Sequence, residues 1–242
     1  MTHDEEQARA MAEAYDEEAE ATGWYGPEVA FGLAFKYLRS GQSILDLGLG
    51  TGLAAVLFRK PGLRVYGMDL APEMLDACRG KGLTDLTQHD LTVPPYPFPA
   101  ASLDHAVCVG TLNFIRDLTP VFEETARILR DGGVFVFAVG DRGEDEPAEL
   151  EVGPEHTMTD SSVTMYRHSG RQVEVWLAAS GFTLLRTLAF TVPMDREKTS
   201  SQPIRAYLAR KGAEARREDA GDVEARRDEG GAEARREGNA AV

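Results

Sequence analysis

The chain has 242 residues, 43% of them hydrophobic, with 40 acidic against 26 basic side chains and a formal net charge of −14. That length buries one sizeable core with appendages, and the negative balance argues against nucleic acid as a partner. No apolar run approaches the roughly 18 residues of a membrane span, and Met1–Glu6 lack the basic and apolar regions of a leader, so a cytoplasmic protein with no membrane partner is expected.

Residues 4–22 are acidic and alanine-rich, which predicts a helix, and Thr22-Gly23 ends it. Pro27 suits the first turn of a second helix running toward Gly41. Residues 1–40 are therefore expected to form a helical N-terminal cap. Strand 1 is predicted at 43–47, a helix at 52–59, strand 2 at 63–68 and a helix opened by Pro72, with Met74 and Leu75 on its apolar face. A weak strand at 84–88 ends in His89-Asp90, and a proline-laden connection spans Thr92 to Ala101. Strand 4 is predicted at 104–109 and a helix at 119–129, closed by Arg130-Asp131-Gly132-Gly133. Strand 5, at 134–139, is near-continuously apolar, as in the buried middle of a parallel sheet. Residues 141–169 are polar and are expected to form a lid or substrate insertion. A helix at 170–180 and two final runs, 182–191 and 204–208, complete the domain at 41–210. Alternating strands and helices ended by two consecutive strands predict an α/β fold: a Rossmann-like, mostly parallel sheet with helices on both faces and an antiparallel edge hairpin.

Beyond residue 210 the composition changes. The units at 212–218, 222–228 and 231–237 repeat with almost no apolar content, and residues 211–242 carry seven bases and nine acids. Such a tail cannot bury a core and is expected to be disordered or a solvated helix. The acids elsewhere are uneven too: residues 1–28 hold nine against Arg9, and residues 141–160 hold eight against Arg142. Both stretches flank the expected substrate side, which gives either plain solubility or a rim that prefers neutral or cationic small molecules. Cys78 and Cys108 have no partners at metal-site spacing, and no metal is expected.

The chemistry-bearing stretch is Leu45-Asp46-Leu47-Gly48-Leu49-Gly50-Thr51-Gly52-Leu53, an apolar strand running into three alternating glycines. Glycines there allow a tight turn and close approach of a ligand to peptide groups. Asp69 follows the second apolar run, where a doubly wound sheet holds a ribose. A dinucleotide fingerprint would need a glycine where Leu53 stands, and Asp46 would repel a pyrophosphate. A ligand ammonium group would suit Asp46 instead.

With Tyr15-Asp16, Gly26-Pro27-Glu28, Gly67-Met68-Asp69-Leu70-Ala71-Pro72-Glu73-Met74-Leu75, Leu103-Asp104 and Ala126-Arg127-Ile128-Leu129-Arg130-Asp131-Gly132-Gly133, this pattern resembles the class I S-adenosylmethionine-dependent methyltransferases from about residue 15 to 210. The small-molecule branch, and within it the Williams–Beuren-region methyltransferase-like group, is the nearest in pattern. The resemblance implies S-adenosylmethionine as cofactor, S-adenosylhomocysteine as product and in-line methyl transfer to a small-molecule acceptor through oxygen, nitrogen, sulfur or carbon. It implies that Asp69 accepts both ribose hydroxyls, that Leu70 and Leu91 sandwich the adenine, and that Asp90 accepts from its amine. Gly48 and Gly50 would pass the methionine part, with the carbonyl of Val109 or Gly110 near its ammonium, and Tyr15 would reach its carboxylate. Leu49, Gly52 and Met74 complete the cofactor set; Leu49 replaces the cysteine or serine often found between the first two glycines.

Val93-Pro94-Pro95-Tyr96 resembles the Asp/Asn-Pro-Pro-Tyr box of amino-methylating enzymes, but it precedes strand 4 and lacks the polar first residue. No dedicated catalytic motif is visible; the candidates near an acceptor are Asn113, His156, Tyr166 and His168, while His105 reads as structural. The alternative function is a non-catalytic, S-adenosylmethionine-binding regulatory or scaffold protein.

Overall fold

The computed structural model describes residues 3–153 and 162–212, with side chains from residue 13 onward. The repeated tail beyond Gly212 and the middle of the expected lid lie outside the described residues.

Five parallel strands form the centre. β1 (Ser43–Leu47) is buried along its whole length and lies between β2 (Arg64–Asp69) and β4 (Leu103–Cys108), with β3 (Asp85–Gln88) outside β2. β5 (Leu129–Arg142) follows β4. The final hairpin, β8 (Phe182–Pro193) and β9 (Ser201–Lys211), inserts β9 antiparallel against β5 and leaves β8 at the edge. The main run is thus β3-β2-β1-β4-β5-β9-β8. Strand order reverses between β1 and β4, and a doubly wound sheet opens its crevice at the carboxyl ends of such a pair.

The helices are α1 (His3–Thr22), α2 (Gly26–Ala34), α3 (Leu53–Arg59), α4 (Pro72–Gly80), α5 (Thr119–Ile128) and α6 (Gly170–Ala179). Prolines at the first turns of α2, α4 and α5 pre-set helical φ where no N–H partner is needed. Ala30, Ala54, Phe58 and Leu75 of α2, α3 and α4 pack one side of the sheet, against Ile44 and Val107. Phe122, Val173 and Leu177 of α5 and α6 pack the other, against Leu45, Phe135 and Phe137. Each fully buried leucine or phenylalanine stabilises this arrangement by about 1.5–3 kcal/mol. At the opposite end from the crevice, Asp104 accepts from the Ser43 N–H and hydroxyl, both at 2.8 Å, and from Arg130 at 2.8 Å, fixing the start of β1 to β4. None of the described helices is long and apolar enough to cross a membrane.

Three features differ from the sequence expectation. The second helix ends at Ala34 and continues as a 3₁₀ turn over Phe35–Tyr37. β5 begins at Leu129, which pairs with Leu103; Arg130–Gly133 then bulge out opposite Asp104, with Gly132 at φ +82°, before regular pairing resumes at Val134 opposite His105. The stretch 141–169 contains two strands, β6 (Glu149–Val152) and β7 (Val163–Ser169). β6 alternates acidic and apolar residues, and β7 is rich in β-branched and aromatic ones, but its arginine and histidine hide the alternation. β7 also lies parallel to the end of β5, with Gly140 opposite Arg167. β4's pairing with β5 stops at Cys108 opposite Phe137, so β7 takes up the edge that β4 leaves.

Candidate functional site

A cleft of about 260 Å³ opens at the β1/β4 switch point. Its floor is the loop after β1. Gly48 has φ +70°, and a side chain there would strike Thr111, whose Oγ1 would lie 2.2 Å from the added carbon. Thr111 Oγ1 instead donates to the Gly48 carbonyl at 2.9 Å, holding the loop after β4 against the loop after β1. Gly50, at φ +53°, would meet nothing within 4 Å: its α-carbon faces open space. The Gly50 carbonyl accepts from the Cys78 thiol at 3.2 Å. Burial pushes that thiol up to about 12, so it stays a donor. Leu49 fills the space in front of Gly67, where an added carbon would sit 2.5 Å from its methyl.

Two carboxylates stand on this floor. Asp69, ending β2, accepts from Gly50 N at 2.7 Å and from Ala71 N at 3.0 Å, so its two oxygens brace the loop and still hold free lone pairs toward the cleft. Asp46, on β1, is 2% exposed, and its Oδ2 has no hydrogen-bond partner among the described residues. Burial pushes its carboxyl up to about 8, opposed by the Ala55 N–H and assisted by the Asp69 charge. A buried, unpartnered carboxyl oxygen is costly, and a cationic N–H donor in the cleft would satisfy it.

The walls come from the cap and the loop after β4. Tyr15, Trp24 and Pro27 line one side, Val109, Gly110, Thr111 and Phe114 another, and Leu53, Ala54, Ala71 and Met74 complete it. The Tyr15 phenol is raised by burial and by Asp16 and Asp69, although 36% of the residue's surface remains open.

The cleft therefore brings together Tyr15, Asp46, Gly48, Leu49, Gly50, Asp69, Met74, Val109 and Gly110 of the sequence-derived set. Four others stand apart from its lining. Gly52 is the left-handed residue that opens α3 and packs toward Cys78 and Leu83. Leu70 points outward and is 62% exposed. Leu91 is 6% exposed and packs in the core with Tyr96 and Leu103, so its side chain offers the cleft no face. Asp90 turns back to accept from the Thr92 N–H and hydroxyl at 2.8 and 2.7 Å. These three follow strand ends, where the backbone bends and side-chain direction no longer alternates.

The acceptor-side candidates are placed elsewhere too. Asn113 is buried and accepts from Gly140 N at 2.6 Å, tying the loop after β4 to β5. Tyr166 lies within β7 opposite Glu149 of β6. His168 is buried at the end of β7 with its ring edge-on to Trp176, 5.2 Å between centroids. Burial pushes its pKa down to about 4, so it is neutral at pH 7. His156 lies outside the described residues. His105 accepts from Val134 N and meets Gln42, inside the sheet. Trp24, Thr111 and Phe114 also line the cleft and carry no motif of their own in the sequence, whereas Pro27 belongs to the Gly26-Pro27-Glu28 motif beside Trp24.

Residues 45–137 match the family model described as a methyltransferase domain. The chain is 35% identical over 102 residues to a malonyl-[acyl-carrier protein] O-methyltransferase of Serratia marcescens, covering 40% of this chain and 38% of that protein. It is 31% identical over 121 residues to a ubiquinone biosynthesis O-methyltransferase of Xanthomonas oryzae pv. oryzae, covering 48% and 51%. The chain thus spans about half, or less, of the length of these relatives. Among solved structures, a methyltransferase from Methanosarcina mazei superposes with a TM-score of 0.65 at 16% identity, over 75% of this chain and 98% of the other, a likeness of fold.

Proposed function

We propose that residues 45–137, which match a family model described as a methyltransferase domain, are the core of a class I S-adenosylmethionine-dependent methyltransferase, and that this chain binds S-adenosylmethionine in the Tyr15–Asp46–Asp69 cleft and methylates a small-molecule acceptor. The observation that carries the reading is the buried Asp46 Oδ2, which no donor among the described residues reaches. An ammonium group is the ligand chemistry that satisfies it. Asp69 retains lone pairs for a vicinal diol, a task suited to a two-oxygen acceptor. The open side of Gly50 leaves room for a chain to pass between the two carboxylates. A dinucleotide fits less well, because its pyrophosphate would face two acids.

When bound, the cofactor supplies an electrophilic methyl group on a sulfonium centre. The residues of this chain bind, align and exclude water, and alignment of a nucleophile with such a centre is worth roughly 7–11 kcal/mol. Tyr15, Asp46 and Asp69 are the titratable groups of the described lining, and all are assigned here to holding the cofactor. Both relatives named above are O-methyltransferases, so compounds with phenolic or carboxylic oxygens are the first acceptors to screen.

The test is calorimetric titration of S-adenosylmethionine and S-adenosylhomocysteine into wild type and Asp69→Ala. Loss of one charge-assisted pair of bonds is expected to weaken binding about tenfold to a hundredfold. Equal affinity in the two proteins, or no binding by folded wild type, refutes the site. Binding without turnover of any acceptor in the screen favours a regulatory or scaffold protein.

A further inference from the structure

Three elements meet at the edge of the cleft, where Thr51 also forms part of its lining. Lys81, which closes α4, donates from Nζ to the Thr51 carbonyl at 2.8 Å and pairs with Asp16 Oδ2. The other oxygen of Asp16 accepts from Thr51 Oγ1 at 2.6 Å. Cap helix, glycine loop and α4 are thus joined in one closed ring of hydrogen bonds, and Thr51 within it is 1% exposed.

Asp16 directly follows Tyr15, and adjacent positions on a helix point about 100° apart. Fixing Asp16 against the loop therefore fixes the rotation of α1 and the direction in which Tyr15 enters the cleft. The charges give this contact a second task. α1 carries Asp16, Glu17, Glu18 and Glu20, and it lies over a cleft whose floor holds Asp46 and Asp69. Like charges on the two sides oppose closure. Lys81 supplies a positive charge at Asp16. Arg196, bonded to Glu18 at 2.7 Å from the β8–β9 hairpin, supplies another, two residues further along.

We propose that Lys81 is a positioning residue for the cofactor: through Asp16 and Thr51 it holds the cap helix at the rotation that sets Tyr15 over the cleft. The inference rests on the S-adenosylmethionine reading of that cleft. It assigns Lys81 no contact with the ligand. The pair is partly buried, about 30% exposed on each side chain, so removing Lys81 also leaves Asp16 and the Thr51 carbonyl short of a donor, at some cost in stability.

The test is a double-mutant cycle read by calorimetric titration of S-adenosylmethionine, with melting temperatures measured alongside. Lys81→Met is expected to raise Kd about tenfold with a modest fall in melting temperature, and Lys81→Arg serves as the control for that fall. Tyr15→Phe is expected to raise it similarly, and the double variant to bind no worse than the weaker single one, because both changes remove the same contact. Lys81→Arg retains a donor in reach and is expected to stay within about threefold of wild type. Asp16→Ala, which cuts the ring at the carboxylate and lies outside the cleft lining, is expected to reproduce the loss and serves if Lys81→Met fails to fold. Hydrogen exchange gives a ligand-independent readout: amides of α1 from Ala14 to Thr22 exchange faster in Lys81→Met. Wild-type affinity in Lys81→Met, fully multiplicative effects in the double variant, or unchanged exchange in α1 overturns the proposal. If wild type binds neither cofactor nor product, the cofactor reading falls first and takes this one with it; wild-type binding with an indifferent Lys81→Met sinks this one alone.

Discussion

At the scale of the residue, Asp46 couples the cleft to pH. Its folded value of about 8 lies above the ordinary 3.8 of an unfolded aspartate. The folded chain therefore holds a proton that the unfolded chain releases, so this group's stabilisation is complete below about pH 4 and is withdrawn as pH rises through 8. Asp46→Asn keeps the shape and removes the titration. The variant without ligand is expected to melt above wild type at pH 8, while binding S-adenosylmethionine at least about tenfold more weakly. At pH 7 a cationic ligand displaces the Asp46 proton, so wild-type binding heats should vary with the ionisation heat of the buffer and those of Asp46→Asn should not. Equal melting curves at pH 8 would show that the carboxyl is solvated. The glycines give a second residue-scale contrast. Gly48→Ala meets Thr111 as well as an unfavourable φ, and a large fall in melting temperature is expected. Gly50→Ala meets open space, costs about 1–2 kcal/mol for its left-handed backbone, and is expected to lose binding through its methyl group in the cleft. Comparable melting temperatures for the two variants would contradict the geometry.

At the scale of the element, β7 behaves as a structural strand with a pH limit of its own. His168 ends it, edge-on to Trp176 of α6, and its value of about 4 lies below the ordinary 6.5. Here the unfolded chain takes up the proton first, so stability from this group is lost as pH falls from about 6.5 to 4. Asp46 works in the opposite sense over the same interval, so the difference between variants is the informative quantity. His168→Gln should show a shallower fall in melting temperature over that range than wild type, with cofactor affinity unchanged at pH 7. A parallel fall would remove His168 as the cause. Legibility in the sequence follows the same division. β1, α3, β2 and α4 were readable because glycines, prolines and uninterrupted apolar runs mark their ends. β6 and β7 were not, since their pairing comes from the edge that β4 leaves on β5 rather than from local pattern.

At the scale of the whole molecule, the candidate site shows why part of it was readable and part was not. Asp46, Gly48, Gly50 and Asp69 reach the cleft because the switch point of a doubly wound sheet fixes where strand ends go. Trp24, Thr111 and Phe114 arrive from the cap and the loop after β4, brought in by packing that no short motif encodes. Leu70 and Leu91 show the converse: both stand beside strand ends, but Leu91 is turned into the core and Leu70 out to solvent. β5 carries a consequence for the chain's birth. Val134 to Gly140 pair with Arg210 to Ile204, so the most apolar strand waits for almost the last segment of the domain to be synthesised. Until β9 leaves the ribosome, β5 offers one bare edge to any other extended chain. The newborn polypeptide is therefore most exposed to aggregation in the interval between translation of these two strands, and a holdase chaperone would have its work there.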